Sequence, residues 1–141
     1  MISTLSQLIS RAESGNNLYA VRFEPAFTPS QLAIENCARY NNCTQATAKA
    51  ICAMSFGLYQ IMGEELYRRG ILKGPVTLYA NSAEAQLSAF NTLISEKGIN
   101  YTLQQVLTVP ACRENFAHHY NGNADAYGTY LLATYQKYKG I

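Results

Sequence analysis

Ser3-Thr4-Leu5-Ser6-Gln7-Leu8-Ile9-Ser10-Arg11-Ala12-Glu13-Ser14-Gly15 opens the chain and sets its class. Leu5, Leu8, Ile9 and Ala12 recur at i, i+3, i+4 and i+7, the period of one helix face. The spacing predicts an amphipathic helix from Ser3 to Ser14, stopped by Gly15 in a left-handed turn. Glu13 is its unusual member. At about 100° per residue it falls beside Ile2 and Ile9, on the edge of the apolar stripe and in the last helical turn. The partial negative charge of a helix C-terminus disfavours an anion, so Glu13 is expected to hold its proton to a raised pH. An acid half-sunk in an apolar wall is what proton donation to a leaving group requires.

Downstream, the helical pattern repeats. Asn16 to Pro25 reads as irregular or extended. Thr28-Pro29-Ser30-Gln31 predicts a second helix, with Thr28 as cap, Pro29 in the first turn and Gln31 completing a capping box. Thr44 caps an Ala-rich helix to Met54. After Ser55-Phe56-Gly57, a helix is predicted from Leu58 to Arg69, then a turn at Lys73-Gly74-Pro75. Asn81 or Ser82 caps a helix through Leu87, Phe90, Leu93 and Ile94. Thr102-Leu103-Gln104-Gln105 forms a capping box for a short helix that Pro110 closes. Helices over Ala111–Tyr120 and Ala124–Lys139 complete the chain. The fold class is mostly α, a compact globule of six to eight helices with at most one short β-hairpin near residues 19–27.

Composition narrows the function. At 141 residues the expectation is one domain over 1–141. With 48% hydrophobic and 14% charged residues it can bury a core without staples. The formal charge of +2, from scattered Lys and Arg, argues against a nucleic-acid partner and suits an anionic polymer such as a cell wall. No apolar run is long enough to span a membrane, and the N-terminus lacks the basic start and apolar stretch of a secretory signal. Cys37, Cys43, Cys52 and Cys112 include no Cys-x-x-Cys pair, and His118 and His119 have no ligand at helical spacing, so no metal site is expected. The cysteines are read either as free buried thiols or as one of three disulfide pairings.

Glu13-Ser14-Gly15, then Gly57-Leu58-Tyr59-Gln60, then Tyr120-Asn121, stand in an order with chemical meaning. That order resembles the lysozyme-like superfamily of goose-type lysozymes and soluble lytic transglycosylases. The closer resemblance is to the phage-type N-acetylmuramidase (endolysin) domain. It is carried by Arg22-Phe23-Glu24-Pro25, the Gly57–Gly63 stretch, Ala85-Gln86-Leu87-Ser88-Ala89-Phe90 and Tyr120-Asn121-Gly122, over roughly residues 5–138.

The resemblance implies a lysozyme-like catalytic domain whose cleft binds peptidoglycan glycan strands. It makes Glu13 the general acid on the bond between N-acetylmuramic acid and N-acetylglucosamine. It seats Ser14 beside Glu13, lets backbone at Gly57 approach the sugar, and puts Gln60 on an acetamido or hydroxyl group. Tyr59 belongs with this substrate-binding set, Tyr120 would fix the Glu13 rotamer, and Asn121 would bind sugar. Glycoside hydrolysis normally needs a second carboxylate, and Glu24 is the first candidate. The family's Phe-Glu motif is closely followed by a histidine that this chain lacks in Phe23-Glu24-Pro25-Ala26-Phe27. Asp125 is read instead as stabilising the first turn of the last helix.

Two rivals stay open: a lytic transglycosylase leaving 1,6-anhydro ends, and an inactive glycan-binding module. No cofactor is implied, the default is a monomer, and no membrane partner is expected. The absence of a signal fits an enzyme made in a host cytoplasm that acts on the wall, or one carried in a virion.

Overall fold

A computed structural model describes residues 1–140. Among these residues there are nine helices and one small antiparallel sheet. In chain order they are α1 (Leu5–Ser14), β1 (Val21–Phe23), α2 (Gln31–Asn41), α3 (Gln45–Cys52), β2 (Met54–Phe56) and β3 (Ile61–Met62). There follow α4 (Gly63–Arg68), α5 (Val76–Ala80), α6 (Ala83–Glu96), α7 (Leu103–Thr108), α8 (Pro110–Asn121) and α9 (Ala124–Tyr138). The mostly α class holds, with one helix more than expected because α5 follows the Lys73–Pro75 turn.

Polar caps set the helix boundaries. Thr4 and Thr102 form capping boxes with Gln7 and Gln105, and Thr44 and Ser82 accept the backbone N–H groups of Thr47 and Ala85. Such a cap contributes about 1 kcal/mol. Gly15 ends α1 with a φ of 62°. Three boundaries differ from expectation. Ser30, not Thr28, caps α2, and its hydroxyl accepts from the Ala33 N–H. Pro110 opens α8 rather than closing α7, since an N1 proline loses no helical hydrogen bond. The helix predicted from Leu58 begins only at Gly63, because residues 57–60 turn and 61–62 pair as a strand.

The expected hairpin near 19–27 is replaced by a three-stranded sheet in the order β1-β2-β3. Its register pairs Arg22 with Ser55 and Ser55 with Met62. Directly opposed residues share a sheet face, so these three form one row, and Glu24 lies two residues beyond Arg22 on the same face. Val21 and Phe23 point the other way and are exposed.

The core lies between the helices. On α6, the buried positions Gln86, Ala89, Phe90, Leu93 and Ile94 make one helical stripe. Phe90 stacks on Tyr59 at 4.6 Å and meets Tyr120 edge-on at 5.8 Å. Leu8, Ile9, Leu66, Phe116 and Leu131 are fully buried, each contributing about 1.5–3 kcal/mol. One polar hub sits inside this core. The Gln86 carboxamide accepts from the Leu58 N–H at 2.8 Å and donates to the Leu18 and Tyr79 carbonyls at 3.2 Å. It ties the loop after α1, the turn before β3 and the end of α5 to α6. Cys37, Cys43, Cys52 and Cys112 are free thiols.

Candidate active site

The end of α1, the inner face of the sheet, α4 and the α6 and α8 termini enclose a cleft of about 300 Å³. Glu13, Glu24 and Glu65 all line it, with Arg22 and Lys97 as the cations. Sheet register explains part of this set. Arg22, Ser55 and Met62 form the cross-strand row, and all three face the cleft.

Glu13 enters from the last turn of α1. The Tyr127 hydroxyl, on α9, donates to its Oε2 at 2.6 Å. Among the described residues no other group hydrogen-bonds this carboxylate. Burial raises the Glu13 pKa, opposed by the Tyr127 hydrogen bond and by the positive charge of Arg22. The expected direction is right, but its main cause is loss of water rather than the helix terminus. Burial also pushes the Tyr127 and Tyr120 phenols well above their usual range, so Tyr127 remains a donor.

The other two carboxylates differ in their company. Glu65 is bound by Arg68 at 3.2 Å, by Arg69 and by Lys97 at 3.8 Å. Lys97 also donates to the His119 carbonyl at 2.9 Å. Burial lowers the Lys97 pKa against the pull of Glu65. Glu24 has no hydrogen bond or ion pair to its carboxylate among the described residues, although its backbone N–H pairs with the Ala53 carbonyl at 2.9 Å.

Several residues read as substrate contacts are engaged elsewhere. The contact expected of Tyr120 is made by Tyr127. Tyr120 instead donates to the Tyr59 carbonyl at 2.7 Å and stacks 6.3 Å from Tyr127 while lining the cleft. Ser14 adjoins Glu13 in sequence, but its hydroxyl donates to the Leu58 carbonyl at 2.9 Å and accepts from the Asn17 N–H. Gly57 has a φ of 78°, and a Cβ there would overlap the Gln86 carboxamide. Its open side faces a protein group, not a sugar. Gln60 lines the cleft, but its Nε2 donates to the Ala20 and Gly57 carbonyls and its Oε1 accepts from Ser55. Both of its donor protons are used within the protein. The Tyr59 ring is only 5% exposed and packs on Phe90, away from the cleft. Asn121 is exposed at the rim, where α8 ends.

Sequence reasoning missed Tyr127, Glu65 and Lys97 as members of this site. Helical period alone assigns Glu64 and Glu65 no partner. Glu64 is 8% exposed and accepts from the backbone N–H and hydroxyl of Ser30, both at 3.1 Å. Period alone could have flagged Tyr127, since it shares the buried stripe of α9 with Leu131 and Thr134. His118 and His119 are exposed on α8, with His119 Nδ1 2.9 Å from the Asn115 carbonyl oxygen.

The geometry is that of an acid anchored in a cleft that a second, unpaired carboxylate also lines. Comparison with known proteins points the same way. The sequence profile of the N-acetylmuramidase family matches residues 5–139. An endolysin of Enterobacteria phage PRD1 is 33% identical over 144 residues, covering 96% of each chain. No solved structure matches the chain. With nearly its whole length matched, this chain belongs to the N-acetylmuramidase family, glycoside hydrolases that act on peptidoglycan.

Proposed function

We propose that Glu13 is the general acid that protonates the glycosidic oxygen between N-acetylmuramic acid and N-acetylglucosamine. The observation that carries this is the half-buried carboxyl held by Tyr127 in the cleft. A proton retained to a raised pH is available to the leaving group. The Tyr127 bond occupies Oε2 and leaves Oε1 for the sugar oxygen. Fixing one carboxyl oxygen limits the rotamers of the acid, which favours a near-attack geometry.

Glu24 is the second carboxylate, acting as base or nucleophile. Of the two remaining acids in the cleft it is the one without a bound cation. Glu65 is neutralised by three basic groups and serves to hold α4 against the α6 terminus. Lys97 is thereby held between Glu65 and the His119 carbonyl. Asn121 and the Tyr120 ring, which also line the cleft, are read as the glycan contacts. The whole of 1–141 forms one catalytic domain that works as a monomer without a cofactor. The endolysin likeness supports synthesis in a host and action on its wall.

Mass spectrometry of soluble products from purified peptidoglycan tests this reading. Reducing N-acetylmuramic ends are expected. Products one water lighter, with 1,6-anhydro ends, would make it a transglycosylase with Glu13 as lone catalyst. Absence of any released sugar would leave only a glycan-binding module.

A further inference from the structure

A second groove of about 340 Å³ runs between α1 and α9, outside the cleft. Arg11 and Lys137 line it, with Tyr130, Thr134 and Tyr138, and no carboxylate does. The Arg11 guanidinium lies 4.5 Å from the Tyr138 ring centroid, and the Lys137 ammonium lies 5.2 Å from the same ring. Neither cation has an ion pair among the described residues. Arg11 Nε is buried with no hydrogen-bond partner.

Basic groups often sit near helix C-termini to satisfy the last carbonyls. At the end of α1, where Arg11 sits, that need is already met. The Ser10, Arg11 and Ala12 carbonyls accept from the Asn16 N–H, the Gly15 N–H and the Tyr130 hydroxyl. Two cations within about 5 Å of one aromatic ring and lining one groove without a carboxylate, with donors unused, form a site for an anion. The planar guanidinium favours a carboxylate.

The groove and the cleft meet at the end of α1, where Ala12 lines the groove and the next residue, Glu13, lines the cleft. Tyr127 holds Glu13, and Tyr130, 6.4 Å from it, reaches the neighbouring Ala12 carbonyl. From Tyr127 to Tyr138 the helix advances about 16 Å. An extended peptide of about four or five residues spans roughly 13–18 Å. We propose that this groove binds a carboxylate of the stem peptide carried by the wall strand whose glycan lies in the cleft. The inference rests on the peptidoglycan reading above and adds to it a preference for peptide-bearing strands.

The test compares soluble glycan strands that carry stem peptides, free of phosphate polymers, with the same strands after an amidase has removed the peptides. For the Arg11→Gln/Lys137→Gln double variant, KM on peptide-bearing strands is expected to rise about three- to tenfold, with kcat within about twofold. On stripped strands the variant matches the wild type. Arg11→Lys, which keeps the charge but not the planar fork, falls between the wild type and the double variant on peptide-bearing strands. An equal KM change on both substrates, or none on either, would overturn the inference while the wild type still cuts. If the wild type releases no sugar from either, the functional reading fails and the inference falls with it. If the double variant loses its helical signal, Lys137→Gln alone decides, through an exposed side chain, with about a two- to threefold KM change expected.

Discussion

Tyr127 holds Glu13 by a 2.6 Å hydrogen bond that closes the last helix onto the first. The bond favours the carboxylate and so opposes the effect of burial. Tyr127→Phe removes that opposition and raises the Glu13 pKa further. The alkaline limb of a pH–kcat profile is therefore expected to move to higher pH, while kcat at its maximum falls because the acid is less well placed. A profile that keeps its alkaline limb would show that another group sets it.

Glu13→Gln is expected to abolish wall lysis without harming the fold. A carboxyl whose folded pKa lies above its unfolded value contributes fully below about pH 4.5 and loses that contribution as pH rises through the folded value. The variant should therefore match wild-type stability in acid and gain on it toward neutral pH, by less than about 1 kcal/mol. Paired denaturation curves at the two pH values read this directly.

Glu24 and Glu65 should separate cleanly. Glu24→Gln is expected to lower kcat about 10²- to 10⁴-fold with an unchanged melting temperature. Glu65→Gln removes the shared partner of Arg68, Arg69 and Lys97, so it costs stability, about 1 kcal/mol after solvent screening. Its kcat should fall far less. Steady-state kinetics beside thermal melts would show an exchanged pattern if Glu65 were the reacting group.

Gly57→Ala meets two obstacles, a φ of 78° and the Gln86 carboxamide. About 3 kcal/mol of destabilisation is expected. Gln86→Ala alone costs about as much, because it strands the Leu58 N–H and the Leu18 and Tyr79 carbonyls. The double variant should lose clearly less than the sum, since the clash disappears with the carboxamide. Additive losses in urea titrations would mean that the two residues act separately.

How much of this was legible depended on the range of the interaction. Caps at Thr44, Ser82 and Thr102 are decided within four residues, and the sequence carries them, whereas Thr4 was placed inside the first helix instead of before it. The exposed edge of the α1 stripe likewise marked Glu13. Strands of two or three residues have too few positions to show alternation, so the sheet and the late start of α4 stayed hidden. The choice between Tyr120 and Tyr127 depends on how α8 and α9 pack, which no local pattern records. Glu64 reads as solvated until Ser30, thirty-four residues away, presents its N–H and hydroxyl. Gly57 and Gln60 were recognisable as special, but their reason is internal scaffolding.

The bond between Glu13 and Tyr127 spans 114 residues, so the acid sits on α1 and its anchor on α9, far later in the chain. During synthesis the chain emerges N-terminus first. A ribosome-bound chain that has reached α8 carries Glu13, Glu24 and Glu65 but has no means of fixing the acid. The same holds for a molecule clipped before Tyr127. Fixing Glu13 is thus coupled to the docking of α9 on α1, so a chain with α1 and the sheet folded but α9 undocked has the carboxyl without its anchor.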